Sequence, residues 1–294
     1  MSAVVRFQPE LADWLTAGLD AGQAPTALVQ KMIDEQMQPA VAHALVGAFV
    51  DARRAGAAVP RDTLVVEDEA GVFFREAPLI AAGATLPTSE GPVPVLARGG
   101  SPTFALLGPV MSPDECARLI ALARPRLVPS TVVDPQTGQD VVAGYRNSRG
   151  MFFHLGENEL VARLDRRFAE LMRLPVENGE GLQVLCYGPG GATAPHFDFV
   201  APSNPANEAS VARSGQRVST LLVYLADVED GGQTVFPRAG WSVQPKAGNA
   251  IYFESCNRQG QLDPQSLHAG QPVLRGEKWV VTKWMRQRRF VPRA

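Results

Sequence analysis

The segment TAPHFDFV, residues 193 to 200, sets His196 and Asp198 one residue apart. In an extended strand, residues two apart share a face. An imidazole nitrogen and a carboxylate oxygen can therefore meet at one point while Phe197 faces the other way. The chain contains four histidines, and His268 lies in the same β-like stretch of sequence. Two histidines and a carboxylate on one face of a metal leave positions open for a co-substrate and O2, which suits non-haem Fe(II); a zinc hydrolase would need fewer open positions. Taken alone, a His-X-Asp triplet reads as a structural or surface feature rather than a ligand pair.

Lys278 stands ten residues after His268, behind the turn residues Arg275, Gly276 and Glu277. A lysine that opens the next strand can aim its ammonium into the interior, where a buried cation needs an anionic partner. The distal carboxylate of 2-oxoglutarate would be one. Without that context Lys278 reads as a solvated strand end.

The elements that must position these groups are legible in outline. From Gly181 to Phe290 short apolar or alternating runs (LQVLCY, VSTLLVYLADV, TVFP, WSVQP, NAIYFES, QPVL, KWVVTKW) are punctuated by Gly and Pro turns, the texture of a β-barrel or sandwich. Lys278, Val280, Thr282 and Trp284 alternate onto one strand face. A helix is expected from Ser112, with Pro113 at its first position, Glu115 completing a capping box, and Leu119, Ile120 and Leu122 as its buried face. A second is expected over 157–172, where Leu160, Leu164, Phe168 and Leu171 keep helical spacing. Residues 9–55 read as helical, with Val41, Leu45 and Phe49 spaced by four. DTLVVEDEAGVFF reads as a strand or hairpin, residues 80–103 as a linker, and the domain boundary is expected near residue 100.

Composition narrows the function classes. The 294 residues are 45% hydrophobic and 20% charged with a formal net charge of -2, which predicts no general affinity for nucleic acid or anionic membranes. No apolar run approaches a membrane span and no leader pattern opens the chain, so a cytoplasmic location is expected. Cys116, Cys186 and Cys256 show no CxxC pairing and are expected as buried thiols. His43 and His154 are expected in structural roles, and the basic tail KWMRQRRFVPR as a solvated end.

The runs GLQVLCYGPGGATAPHFDF, QRVSTLLVYLADVEDGGQTVFP and HAGQPVLRGEKWVVTKW resemble the catalytic domain of the prolyl 4-hydroxylases, which are Fe(II)/2-oxoglutarate-dependent dioxygenases. Upstream, SPDECARLIALARPRLVPSTVV and YRNSRGMFF resemble the segments preceding that domain, so the likeness covers roughly residues 104 to 290. It implies an α+β, mainly β fold: a double-stranded β-helix (jelly-roll) barrel supported by helices over 101–294, with a helical extension over 1–100.

The resemblance also implies roles. His196, Asp198 and His268 match iron ligands, and Lys278 matches the residue that binds the co-substrate's distal carboxylate. Tyr187 and Thr220 match hydroxyls of the same pocket, Trp284 an aromatic on its wall, and Arg146 and Ser148 a substrate-side motif. Fe(II), 2-oxoglutarate, O2 and ascorbate are the implied cofactors. The implied reaction hydroxylates an unactivated C–H bond, in a prolyl residue of a peptide or protein, with release of succinate and CO2. Hydroxylation of a free amino acid or small metabolite, and a catalytically silent binding module, stay open. The polar stretch 201–216 is expected to be a lid that orders on substrate, and the first hundred residues to be a packing extension, an adaptor or a homodimerisation element.

Overall fold

The chain divides into two units, Met1–Phe74 and Arg75–Ala294. The structure, a computed structural model, describes residues 2–292 except 36, 38, 68–72, 74, 131, 134–139, 142–147 and 202. In the first unit β1 (Ser2–Arg6) is followed by α1 (Pro9–Asp20), α2 (Pro25–Asp34), α3 (Pro39–Ala55) and β2 (Thr63–Glu67), and β1 pairs antiparallel with β2. Each helix opens on proline, whose fixed φ and missing N–H cost nothing in a first turn. Leu15, Leu28, Met32, Leu45 and Phe49 form their shared core. The helical expectation for 9–55 is met by three helices.

The second unit contains β3 (Thr85–Leu86), β4 (Val93–Gly100), β5 (Thr103–Leu107), α4 (Pro113–Ala123), β6 (Val128–Pro129), β7 (Arg149–Phe153), α5 (Glu159–Met172) and β8 (Leu182–Tyr187). There follow β9 (Thr193–His196), α6 (Pro205–Ser214), β10 (Arg217–Tyr224), β11 (Thr234–Phe236), β12 (Trp241–Val243), β13 (Ala250–Glu254), β14 (His268–Gly270) and β15 (Lys278–Arg286). A nine-stranded sheet runs in the order β3-β4-β5-β13-β10-β15-β8-β7-β6, and a four-stranded sheet in the order β9-β14-β11-β12.

Two cores make three layers of this unit. On one face of the large sheet Leu182, Val184, Leu221 and Val281 pack with Leu119, Leu164 and Phe168 of α4 and α5. On its other face Phe104, Tyr224, Ile251, Phe253 and Val280 pack with Phe236 and Val243 of the small sheet. β15 is central and buried along its whole length. Its odd-numbered residues Trp279, Val281 and Met285 belong to the helix-side core, while Lys278, Val280, Thr282 and Trp284 line the cleft on the other side.

Both anticipated helices form. Ser112 Oγ accepts from the Glu115 amide at 3.2 Å and Glu115 Oε2 accepts from the Ser112 amide at 2.9 Å, completing the capping box of α4. Its buried stripe is Cys116, Leu119 and Ala123, and Leu122 faces solvent, one residue off the expected face. Asn158 caps α5.

The boundary expected near residue 100 falls inside the second unit. Residues 80–103 are not a linker: β4 pairs with β5 across Gly100 and Thr103, and β3 pairs with β4. Pro94 stands at the start of β4, where the ladder is short: β3 pairs only with Val93 and Pro94. The three cysteines are buried and form no disulfide, and burial pushes the thiols up, Cys116 and Cys186 to about 11 and Cys256 to about 12, which disfavours their thiolates.

Candidate metal centre and co-substrate pocket

His196 ends β9 and His268 begins β14, and antiparallel pairing sets these two residues directly opposite each other. Their ring centroids are 4.3 Å apart. Asp198 lies just past the strand end, in a bend, rather than within the extended strand its spacing suggested. Its Oδ1 is 3.7 Å from His196 Nε2 and 3.8 Å from His268 Nε2. The three ligand atoms lie within 4.8 Å of one another, the one such cluster among the described residues.

The second nitrogen of each ring fixes which atom faces the centre. His196 Nδ1 is 3.0 Å from the Ala194 carbonyl and His268 Nδ1 is 2.9 Å from the Ser266 carbonyl. A carbonyl only accepts, so both Nδ1 atoms carry the proton and both Nε2 atoms keep a lone pair for a metal. Asp198 Oδ2 is taken by Thr220 Oγ1 at 2.7 Å, which leaves Oδ1. Burial pushes the Asp198 carboxyl up, but His268, His196, Arg217 and the Thr220 hydroxyl outweigh it and hold it below its ordinary value. Two imidazole nitrogens and one carboxylate oxygen on one side of a point fit an Fe(II) ion with positions left over.

Deeper in the cleft Lys278 is 4% exposed. Its Nζ donates to Thr234 Oγ1 at 3.3 Å and lies 5.8 Å from the ring centres of Tyr187 and Tyr224. Among the described residues no carboxylate is within ion-pair distance of it. Burial lowers its pKa to about 8. A buried ammonium beside one hydroxyl and two aromatic rings is suited to an anion. Tyr187 borders it, with its hydroxyl 2.9 Å from Thr193 Oγ1. Gly231, at φ +75°, turns the chain so tightly that a Cβ there would meet the Pro272 carbonyl at 2.3 Å. That turn delivers Thr234 to the ammonium.

Triad and lysine open into one cleft of about 1130 Å³, lined among others by Arg126, Phe152, Phe197, Phe199, Arg217 and Trp284. Tyr187, Lys278 and Trp284 stand on its wall as the resemblance implies. Thr220 does not: its hydroxyl is spent on Asp198, and the hydroxyl beside Lys278 is that of Thr234. Ser148 is buried behind the wall, 2.9 Å from Ser130 Oγ, and it is Ser130 that lines the cleft. Arg146 lies outside the described residues. His154 is exposed and His43 half-buried on α3, neither of them lining the cleft.

A charged cluster at the cleft's rim escaped the sequence reading. Arg217 forks onto Glu180 through Nε at 2.6 Å and Nη2 at 2.8 Å, stacks 4.0 Å over Trp284, and donates through Nη1 to the Asp198 carbonyl at 3.2 Å. Arg286 joins Glu180 at 2.7 Å, and the first four residues of the supposedly solvated tail, Lys283 to Arg286, are buried. The available signal was position: Arg217 opens β10 and Arg286 closes β15, so antiparallel pairing makes them register partners. The segment expected as a structureless lid forms α6, with Asn204 as cap, Pro205 in the first turn and Gly215 at φ +73° ending it. Ser203, Asn207 and Ser210 from this segment line the cleft.

Comparisons with known proteins agree with this geometry. A sequence model of the 2OG-Fe(II) oxygenase superfamily matches residues 182–286, the span from β8 to the end of β15. Prolyl 4-hydroxylase 1 of Arabidopsis thaliana is 43% identical over 203 residues, 64% of this chain and 70% of that protein. Prolyl 4-hydroxylase subunit alpha-2 of Gallus gallus is 39% identical over 188 residues, 64% of this chain but 35% of that protein. The chain thus spans about two thirds of its plant relatives and about a third of the animal subunit. A solved viral collagen prolyl hydroxylase of Paramecium Bursaria Chlorella virus-1, in its 2OG complex, superposes with a TM-score of 0.50 at 29% identity, over 62% of this chain and 95% of that one. Ligand order, pocket and likeness converge, and the chain belongs to the prolyl 4-hydroxylase family of 2-oxoglutarate-dependent Fe(II) dioxygenases.

Proposed function

We propose that the protein hydroxylates a prolyl residue in a peptide or protein, coupling this to oxidative decarboxylation of 2-oxoglutarate to succinate and CO2. One observation carries the reading: three converging donor atoms, Nε2, Oδ1 and Nε2, share a cleft with a buried ammonium that lacks an anion. Fe(II) bound at His196, Asp198 and His268 would supply activation of O2. Lys278, Thr234 and Tyr187 would hold the distal carboxylate of 2-oxoglutarate. The two sheets are read as the halves of a double-stranded β-helix, whose open end is the cleft.

The remaining residues orient and exclude. Phe152, Phe197 and Phe199 line the cleft and would offer an extended, proline-containing chain apolar contacts, while Arg217, stacked on Trp284, holds the Asp198 carbonyl. Asn207 and Ser210 of α6 offer polar contacts above it, and α6 would act as the cover. Ascorbate would rescue the metal after turnovers that fail to hydroxylate. A free amino acid or small metabolite is the competing substrate.

The test is succinate release with Fe(II) and 2-oxoglutarate across proline-containing peptides and free amino acids, with mass spectrometry of the acceptor. A peptide one oxygen heavier is expected, and His196→Ala should abolish it. Oxidation confined to free amino acids would overturn the peptide substrate, and full activity in His196→Ala would overturn the metal assignment.

A further inference from the structure

Asp198 lies beyond the last residue of β9, so strand pairing does not fix its carboxylate. Two residues of β10 do. Arg217 Nη1 holds its main-chain carbonyl at 3.2 Å and Thr220 Oγ1 holds Oδ2 at 2.7 Å. Thr220 is 1% exposed and sits in the middle of the large sheet, paired to Phe253 on one side and Trp284 on the other. Its hydroxyl therefore points from a rigid support. The two carboxylate oxygens are thereby made unequal: Oδ1 faces both histidine Nε2 atoms, and Oδ2 is engaged away from them.

A free carboxylate can close on a metal through both oxygens, as calcium sites show. Here that would occupy a coordination position that a bidentate co-substrate and O2 together require. We infer that Thr220 is a positioning residue that makes Asp198 a one-oxygen ligand and keeps that position open. The inference rests on the metal centre proposed above. It replaces the co-substrate contact expected for Thr220 with a role exerted through Asp198, and it needs the hydroxyl rather than the methyl group of the side chain.

Co(II) binding to the full chain tests it, followed by calorimetry and visible absorption for wild type, Thr220→Val, Thr220→Ala and Thr220→Ser. Removal of the hydroxyl is expected to weaken Co(II) binding by about 10- to 100-fold, the usual range for a lost outer partner of a metal ligand. It should also change the absorption of the bound ion, because Asp198 is then free to turn its second oxygen inward. Thr220→Ser should restore both. A Val or Ala variant that is folded by circular dichroism and binds Co(II) with wild-type affinity and spectrum overturns the inference. So does a folded Ser variant as impaired as Ala, since packing would then be the cause. If Val does not fold, the smaller Ala variant decides. Failure of wild type to bind Co(II) at all would instead overturn the metal centre.

Discussion

Two buried lysines stand on β15 five residues apart and face opposite sides of the sheet. Lys283, on the helix side, is fully buried; its Nζ donates to Asp165 Oδ1 at 2.7 Å and to the Glu180 carbonyl at 2.6 Å. A Cβ on Gly179 would come within 2.4 Å of that Nζ. Lys278, on the cleft side, has a single hydroxyl at 3.3 Å. Burial pushes both ammonium groups down, but Asp165 pulls Lys283 back and nothing comparable acts on Lys278. A lysine completed by its own chain is a structural part; one left incomplete at the same depth is, under the proposed function, the group that meets the co-substrate. The charge missing beside Lys278 is then the one that 2-oxoglutarate would bring.

Breaking the completed side should have the largest effect. Lys283→Ala leaves Asp165 buried and unpaired, and is expected to cost about 3–5 kcal/mol of stability in denaturant unfolding, with kcat/KM per folded molecule retained. Lys278→Met should do the reverse. The free protein should melt no lower than wild type, while 2-oxoglutarate binding weakens by about 2–5 kcal/mol, at least roughly thirtyfold. Equal melting losses in the two variants would erase the distinction between the faces.

The pH dependence sharpens it further. Lys278 loses its proton near pH 8 in the free protein, so 2-oxoglutarate affinity should hold below that pH and fall by about tenfold per unit above it. Because the folded value lies below the ordinary 10.5, the unfolded chain binds more protons between these values. The stability contribution of this group therefore rises with pH across that window. Titration of affinity by calorimetry in wild type and Lys278→Met checks the first statement, since the variant should show no such fall. The smallest effect is expected for Thr234→Val, which removes one hydrogen bond worth about 1 kcal/mol and should raise the 2-oxoglutarate KM by about fivefold.

How much of this was legible depended on the length scale. Local chemistry was: the capping box of Ser112 and Glu115, the alternation of β15, and the histidine–aspartate triplet are all relations between residues a few positions apart. The same local rules are present in Asn204-Pro205 and Gly215, which bound α6 within a stretch whose polar composition reads as a loop. β4 was hidden because composition alone does not separate a Pro- and Gly-rich strand from a linker; the difference lies in whether partner strands such as β3 and β5 are present to take its hydrogen bonds.

The set His196, Asp198 and His268 and its order, the capping of α4, the buried face of α5 and the alternation of β15 were therefore legible in the sequence alone, since side-chain type and backbone period act locally. Which hydroxyl meets the ammonium was decided only by tertiary structure. The resemblance pointed to Thr220, but the register of β10 turns that residue onto Asp198, and the turn at Gly231 carries Thr234 to the lysine. The pairing of Arg217 with Glu180 and Arg286 was settled the same way. Such contacts join strands distant in sequence, and only the sheet register says which atoms coincide.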